Sequence, residues 1–273
     1  MQSIMHKNDR RTLMLTFLTS ILHLLPYVFH LEPKFTYLFV IPLVFMVISN
    51  NGIAHNHCHV PTIRIKWLNH LFDILLSFNI GYPCSQLKIL HVQNHHGKFG
   101  TLEDWSGPHQ MHGRKSFLGL ITYLFNFQKR IHQKDGLYFE LKNNPMIQQE
   151  NLIELLIIPI NLFLIYLNPK IYFTYNFPAV IMGGAFALWT NIFQHAPCEP
   201  HSKYNHSLNF TGKIYNFFLV NSGYHTFHHD FPLVHWSKLP ELHQTKIDPY
   251  IKPEYNQKNI LIFLYRYLIK GKL

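Results

Sequence analysis

The stretch Phe35–His59 reads FTYLFVIPLVFMVISNNGIAHNHCH. Its first part, Phe35–Ala54, carries no charged residue and is close to the roughly 17–25 residues a helix needs to cross a bilayer. Gly52-Ile53-Ala54-His55 shows no turn signal, so the helix is expected to continue out of the lipid into the histidines. On that helix His55 and His59, four apart, share a face, while His57 points elsewhere and is not expected to be a ligand. A membrane span that delivers imidazoles to one surface sets the frame for the rest of the chain.

Working outward, three more apolar blocks qualify as spans: Leu13–His30, Leu152–Leu167 and Ile171–Ile192. Short proline-containing turns, Leu31-Glu32-Pro33-Lys34 and Asn168-Pro169-Lys170, join them as two membrane hairpins. A soluble four-helix bundle is the alternative, but its helices should carry a polar stripe, and apart from His23 and Asn161 these blocks read as dry. The chain has 273 residues, 48% hydrophobic and 14% charged, with a formal charge of +10. Of 24 Lys plus Arg, three lie in residues 1–11, ten in 64–150 and nine in 203–272, leaving Lys34 and Lys170 in the two turns. The positive-inside rule then puts both termini and both long segments in the cytoplasm, in a bacterial inner membrane or an endoplasmic reticulum. The basic balance suits anionic headgroups; no nucleic-acid-binding motif accompanies it. The N-terminal run lacks a small-residue cleavage site and is read as the first span. Cys58, Cys84 and Cys198 are too few and scattered for a disulfide framework and are expected to be reduced.

Two more histidine groups follow: His91, His95 and His96, and, within Gly223–Pro240, His225, His228 and His229. Read as α-helix, His91 and His95 share a face with His96 beside them. Asn191 and His195, also four apart, end the fourth span, where polar residues are costly unless functional. The expected ligands are therefore His55, His59, His91, His95, His96, His195, His225, His228 and His229, with Asn191 able to hold a further ligand through water. One four-coordinate zinc cannot use nine nitrogens, whereas two irons can. His70, His109, His112 and His132 stand alone and read as ordinary surface residues. Trp67–Phe78, Phe117–Phe127 and Asn259–Leu273 read as helices lying in the interface.

These groups, His55-x3-His59, His91-x3-His95-His96 and His225-x2-His228-His229, resemble the three histidine boxes of the integral-membrane fatty acid desaturases. The tail His229-Asp230-Phe231-Pro232, with Trp236 and Leu239-Pro240, and the pair Asn191-x3-His195 are similar too, so the likeness covers roughly residues 35–245. Two features depart from it: Asn56 stands where many relatives carry Asp, and residues 97–150 match nothing that grips a headgroup. The resemblance implies an all-α integral membrane fold, one domain over residues 1–273, with a cytoplasmic helical cap (55–151 and 193–273) holding a di-iron histidine cluster. It implies an O2-dependent desaturase that uses two Fe, acts on a membrane lipid or acyl-CoA, and takes electrons from a ferredoxin or small cytochrome, because the chain carries no flavin, haem or dinucleotide motif. Asp104 and Asp230 are expected to accept hydrogen bonds from ligand imidazoles. A hydroxylase or ketolase built on the same histidines is the nearest alternative. A metal transporter would need ligands lining the spans.

Overall fold

The computed structural model describes residues 6–111 and 116–270; His112 and Lys272 lie outside them. Among the described residues the chain is mostly helical, and its strands are two short parallel ones, β1 (Asn209–Phe210) and β2 (Asn256–Gln257). It divides into two compact units, residues 1–88 with 144–187, and residues 89–143 with 188–273.

The first unit contains α1 (Asp9–Val28), α2 (Pro33–His59), α3 (Lys66–Ile80) and α4 (Cys84–Leu87), then α7 (Pro145–Glu154), α8 (Ile157–Leu167), α9 (Pro169–Ile171) and the start of α10 (Phe177–His195). Among the described residues four helical runs are long and apolar enough to cross a membrane: Asp9–Val28, Pro33–His59, Pro145–Leu167 and Pro169–His195. The second continues unbroken to His59. The third breaks briefly between Glu154 and Ile157, and the fourth contains a π-helical turn, Tyr172–Asn176, features that apolar composition does not register.

Burial in this unit is inverted relative to a water-soluble bundle. On α1, Phe17, Ile21 and Val28 are more than half exposed, as are Leu38 and Ile41 on α2 and Leu162, Phe163 and Tyr166 on α8. Thr16, Thr19, Ser20 and His23 are buried instead. The expectation of dry spans is therefore corrected: they are dry only outside. Asn79 of α3 donates to Asn50 Oδ1 (3.1 Å) and to the Thr16 carbonyl (2.9 Å), and accepts from Ser20 Oγ (2.9 Å). Asn176 donates to the His23 carbonyl (3.0 Å) and accepts from the Tyr27 hydroxyl (2.9 Å). With no water in hydrocarbon, polar side chains must turn inward and bond one another while the apolar ones face lipid.

The same seam moves α3 from its expected place. Trp67 and Leu71 are exposed as an interfacial helix requires, but Leu76–Ile80 are buried against α1 and α2 through Asn79. Gly81, at φ 84°, then stops the helix in a left-handed turn.

The second unit holds the π-helix Lys88–His96 beyond its first residue, α5 (Phe117–Ile131), α6 (Leu137–Asn143), the end of α10, α11 (Lys213–Phe218), α12 (His225–Asp230), α13 (Leu239–Lys246) and α14 (Ile260–Leu268). α5 buries Leu120, Tyr123, Phe127 and Ile131 and exposes Phe117, Leu118 and Phe125, one apolar face inward and one outward. The tail helix was expected to lie wholly on headgroups. Instead Phe263 and Tyr267 of α14 are fully buried and pack on Phe193, leaving Leu261, Ile262 and Tyr265 as its exposed apolar residues.

Candidate metal centre

The second unit gathers four histidines from three elements. His95 (π-helix), His195 (last residue of α10), and His225 and His229 (one turn of α12) each offer a nitrogen within 4.8 Å of the other three. The Nε2 of His195 lies 3.2 Å from that of His95 and 2.9 Å from that of His225, and the Nε2 of His229 lies 3.1 Å from that of His225. Metal–imidazole bonds of about 2.0–2.1 Å at right angles would hold two nitrogens about 3 Å apart. The donor set and its spacing therefore fit a divalent metal. Burial, then the neighbouring imidazoles of His225 and His195, push the His229 pKa well below the usual histidine value. The ring is neutral and keeps the lone pair that a metal takes.

The π-helix accounts for the direction of the second box. Its i→i+5 pattern stacks residues five apart rather than four. His91 and His96, five apart, bring their Nε2 atoms to 3.0 Å, while His95 offers its Nε2 to the group of four. His91 and His95 still share a face as expected, their rings stacked with centroids 5.3 Å apart. His91 and His228 also stack, with ring centroids 6.0 Å apart. In the first unit, on the last turn of α2, His55 and His59 face each other with centroids 5.7 Å apart.

The third box is held by a constrained turn. Val220 and Asn221 take φ values of 42° and 61°, costly for a β-branched residue. Asn221 Nδ2 donates to the Trp236 carbonyl (3.1 Å), and the Gly223 N–H donates to Asn216 Oδ1 (3.2 Å). A Cβ at Gly223 would collide with the Phe210 carbonyl, so only glycine lets α12 start at His225.

Behind His95 stands a polar frame. Its Nδ1–H donates to Asp104 Oδ2 (2.9 Å), which directs the bare Nε2 toward the group of four. Asp104 in turn accepts from the Ser106 N–H (3.0 Å) and hydroxyl (3.1 Å). Asn191 donates its amide to the Ser106 carbonyl (3.1 Å). Asp230 faces His206, accepting from its Nε2 at 3.2 Å, and not a member of the group of four. His206 was not expected from sequence. Neither was Phe99, whose half-buried ring lies 4.8 Å from that of His195 and 4.9 Å from that of His229. Neither belongs to a spaced motif.

His57, inside the first box, is a strut. Its Nε2–H donates to Asp73 Oδ1 (2.7 Å), while Nδ1 accepts from the Thr62 hydroxyl (2.8 Å) and N–H (3.1 Å). His70 lies 3.7 Å from the other oxygen of Asp73, and His132 Nδ1 lies 2.7 Å from the Gln128 carbonyl. Cys58, Cys84 and Cys198 are free thiols.

No curated protein and no solved structure gives a significant match. The family model described as fatty acid desaturase matches residues 10–260, a range that contains all four candidate spans but the first residue of α1, and every histidine named above. With apolar helices that bury their polar seam, and imidazoles converging at metal-ligand spacing, the chain belongs to the fatty acid desaturase family, membrane oxidases of desaturase or hydroxylase type.

Proposed function

We propose that this chain is an O2-dependent desaturase that inserts a double bond into a fatty acyl chain carried by a membrane lipid or acyl-CoA. The observation that carries the reading is the convergence of His95, His195, His225 and His229, at 2.9–3.2 Å between successive Nε2 atoms, in a member of this family. Those four are the donors for one iron. His55, His59, His91, His96 and His228 are the donors left for a second, and Asn191 contributes through water or through Ser106. When bound, the irons supply O2 activation and hydrogen abstraction from an unactivated C–H bond.

The chain's own residues bind and orient. Asp104 fixes the His95 tautomer, so that its Nε2 offers a lone pair. The strained turn at Val220–Asn221 sets the start of α12 and thereby the direction of His225 and His229. Phe99 covers His195 and His229 and limits water at the group of four. The apolar spans take up the acyl chain as lipid would. We further propose that the two units work as one domain, with both termini and the histidines cytoplasmic, as the Lys and Arg distribution favours. An external ferredoxin or small cytochrome delivers the two electrons.

Expression in a host of known lipid composition, followed by mass spectrometry of its fatty acids and iron analysis of the purified protein, tests the reading. New double bonds that disappear in His225→Ala, together with two irons per chain, are expected. New hydroxyl groups would move the protein to the hydroxylase branch, since small displacements of the reacting carbon decide between the two products. A protein that retains no iron would overturn the proposal.

A further inference from the structure

One residue behind the metal centre carries more bonds than a loop position needs. Ser106 is buried at 8% exposure, and its three polar groups serve two purposes. Its N–H and hydroxyl go to Asp104, and the hydroxyl also lies 3.2 Å from His95 Nδ1. Its carbonyl faces the other way and accepts two hydrogen bonds at 3.1 Å each, from the Tyr123 hydroxyl of α5 and from Asn191 Nδ2 of α10. The segment is pinned again next door, where the Trp105 N–H donates to Asn94 Oδ1 (2.8 Å) and Asn94 Nδ2 donates to the Glu103 carbonyl (3.0 Å).

Tyr123 is fully buried, and burial first, then the nearby Asp104, raises its phenol pKa, so it is a fixed donor. The Asn191 amide has the same acceptor. Two helices thus hold one carbonyl, and that residue holds the carboxylate that orients His95. The arrangement gives Asn191 a role that its place four residues before His195 does not reveal.

We propose that Tyr123 and Asn191 are positioning residues for His95, acting through the backbone carbonyl of Ser106. The proposal deepens the reading of His95 as an iron ligand and rests on it. Removing either donor loosens the Asp104–Ser106 segment and lowers iron affinity by about 10- to 100-fold, the range for partners of a ligand imidazole. Because both donors act on one acceptor, their effects are not additive.

The test compares Tyr123→Phe, Asn191→Ala, Asn191→Asp and the Tyr123→Phe/Asn191→Ala double variant in the full-length protein. Iron affinity is measured by chelator competition. Labelling of His95 by diethyl pyrocarbonate in the metal-free protein, read by peptide mass spectrometry, reports the position of the imidazole without any metal. All four variants should lose iron affinity and label His95 faster than wild type, with the double variant close to the worse single one. Asn191→Asp separates the two roles. A carboxylate cannot donate to the Ser106 carbonyl but holds a metal-bound water well, so it should fail as Asn191→Ala fails. If Asn191→Asp and Tyr123→Phe keep iron and protect His95 as wild type does, while Asn191→Ala loses iron, Asn191 acts at the metal and the proposal is overturned. Wild-type protein that binds no iron refutes the function proposed above, and the labelling still decides the role of Tyr123 and Asn191.

Discussion

Replacing His57 by alanine distinguishes a strut from a ligand inside one histidine box. In the structure the side chain makes three hydrogen bonds, one to Asp73 and two to Thr62, and the residue is 4% exposed. At about 1 kcal/mol net for each bond the loss is about 3 kcal/mol. The stranded partner adds to this, since the Asp73 side chain is itself 4% exposed and would be left as a buried carboxylate without its imidazole. Breaking one side of such a pair costs about 3–5 kcal/mol, a large part of the 5–15 kcal/mol that typically holds a domain. The cost falls on the metal-free protein, because no metal enters the sum. Thermal unfolding of metal-free protein in detergent is therefore the assay, with His55→Ala as the reference. His57→Ala should melt well below wild type with or without iron, and Asp73→Asn, which can still bond the ring, should fall between. A metal-free His57→Ala that melts like wild type and differs only in failing to retain iron would refute the reasoning and make His57 a ligand.

Asp104→Asn should lower iron affinity by about 10- to 100-fold with a small effect on the metal-free protein, since an amide oxygen still accepts from His95 but without the charge that raises the basicity of the ring; chelator competition measures it. The pH dependence of stability should carry a histidine signature from α13. His243, 1% exposed, has its pKa lowered from 6.5, chiefly by burial and against the raising effect of Asp248. The unfolded chain therefore binds this proton more readily than the folded one. The contribution is complete above pH about 6.5 and is lost as pH falls from there through the lowered folded value. Denaturation followed across that window, with His243→Asn flattening the slope, checks it.

Much of the architecture was legible because bilayers impose simple rules. Length, the near absence of charge and the placement of Lys and Arg marked all four candidate spans, and the observed helices differ from them mainly at their ends. The inward polar seam was missed because Thr16, Thr19 and Ser20 are weakly polar, and Asn79, which accepts from Ser20 and donates to the Thr16 carbonyl, lies about sixty residues away. α14 was misjudged for a similar reason. Its Phe263 and Tyr267 look like lipid anchors until Phe193 is seen opposite them.

Box spacing alone marked the imidazoles expected as metal ligands, and it separated His57 from His55 and His59, because helical period is a local property. The tertiary structure decided where those imidazoles point. The π-helix brings the Nε2 atoms of His91 and His96 together and leaves His95 to the group of four, an outcome set by packing, since spacing fixes nitrogen contacts only once the helix type is known. It also decided that the Asn191 amide reaches a carbonyl eighty-five residues away and that Asp230 attends to His206. Hydrogen-bond partners distant in sequence are chosen when elements dock, and no local pattern records that choice.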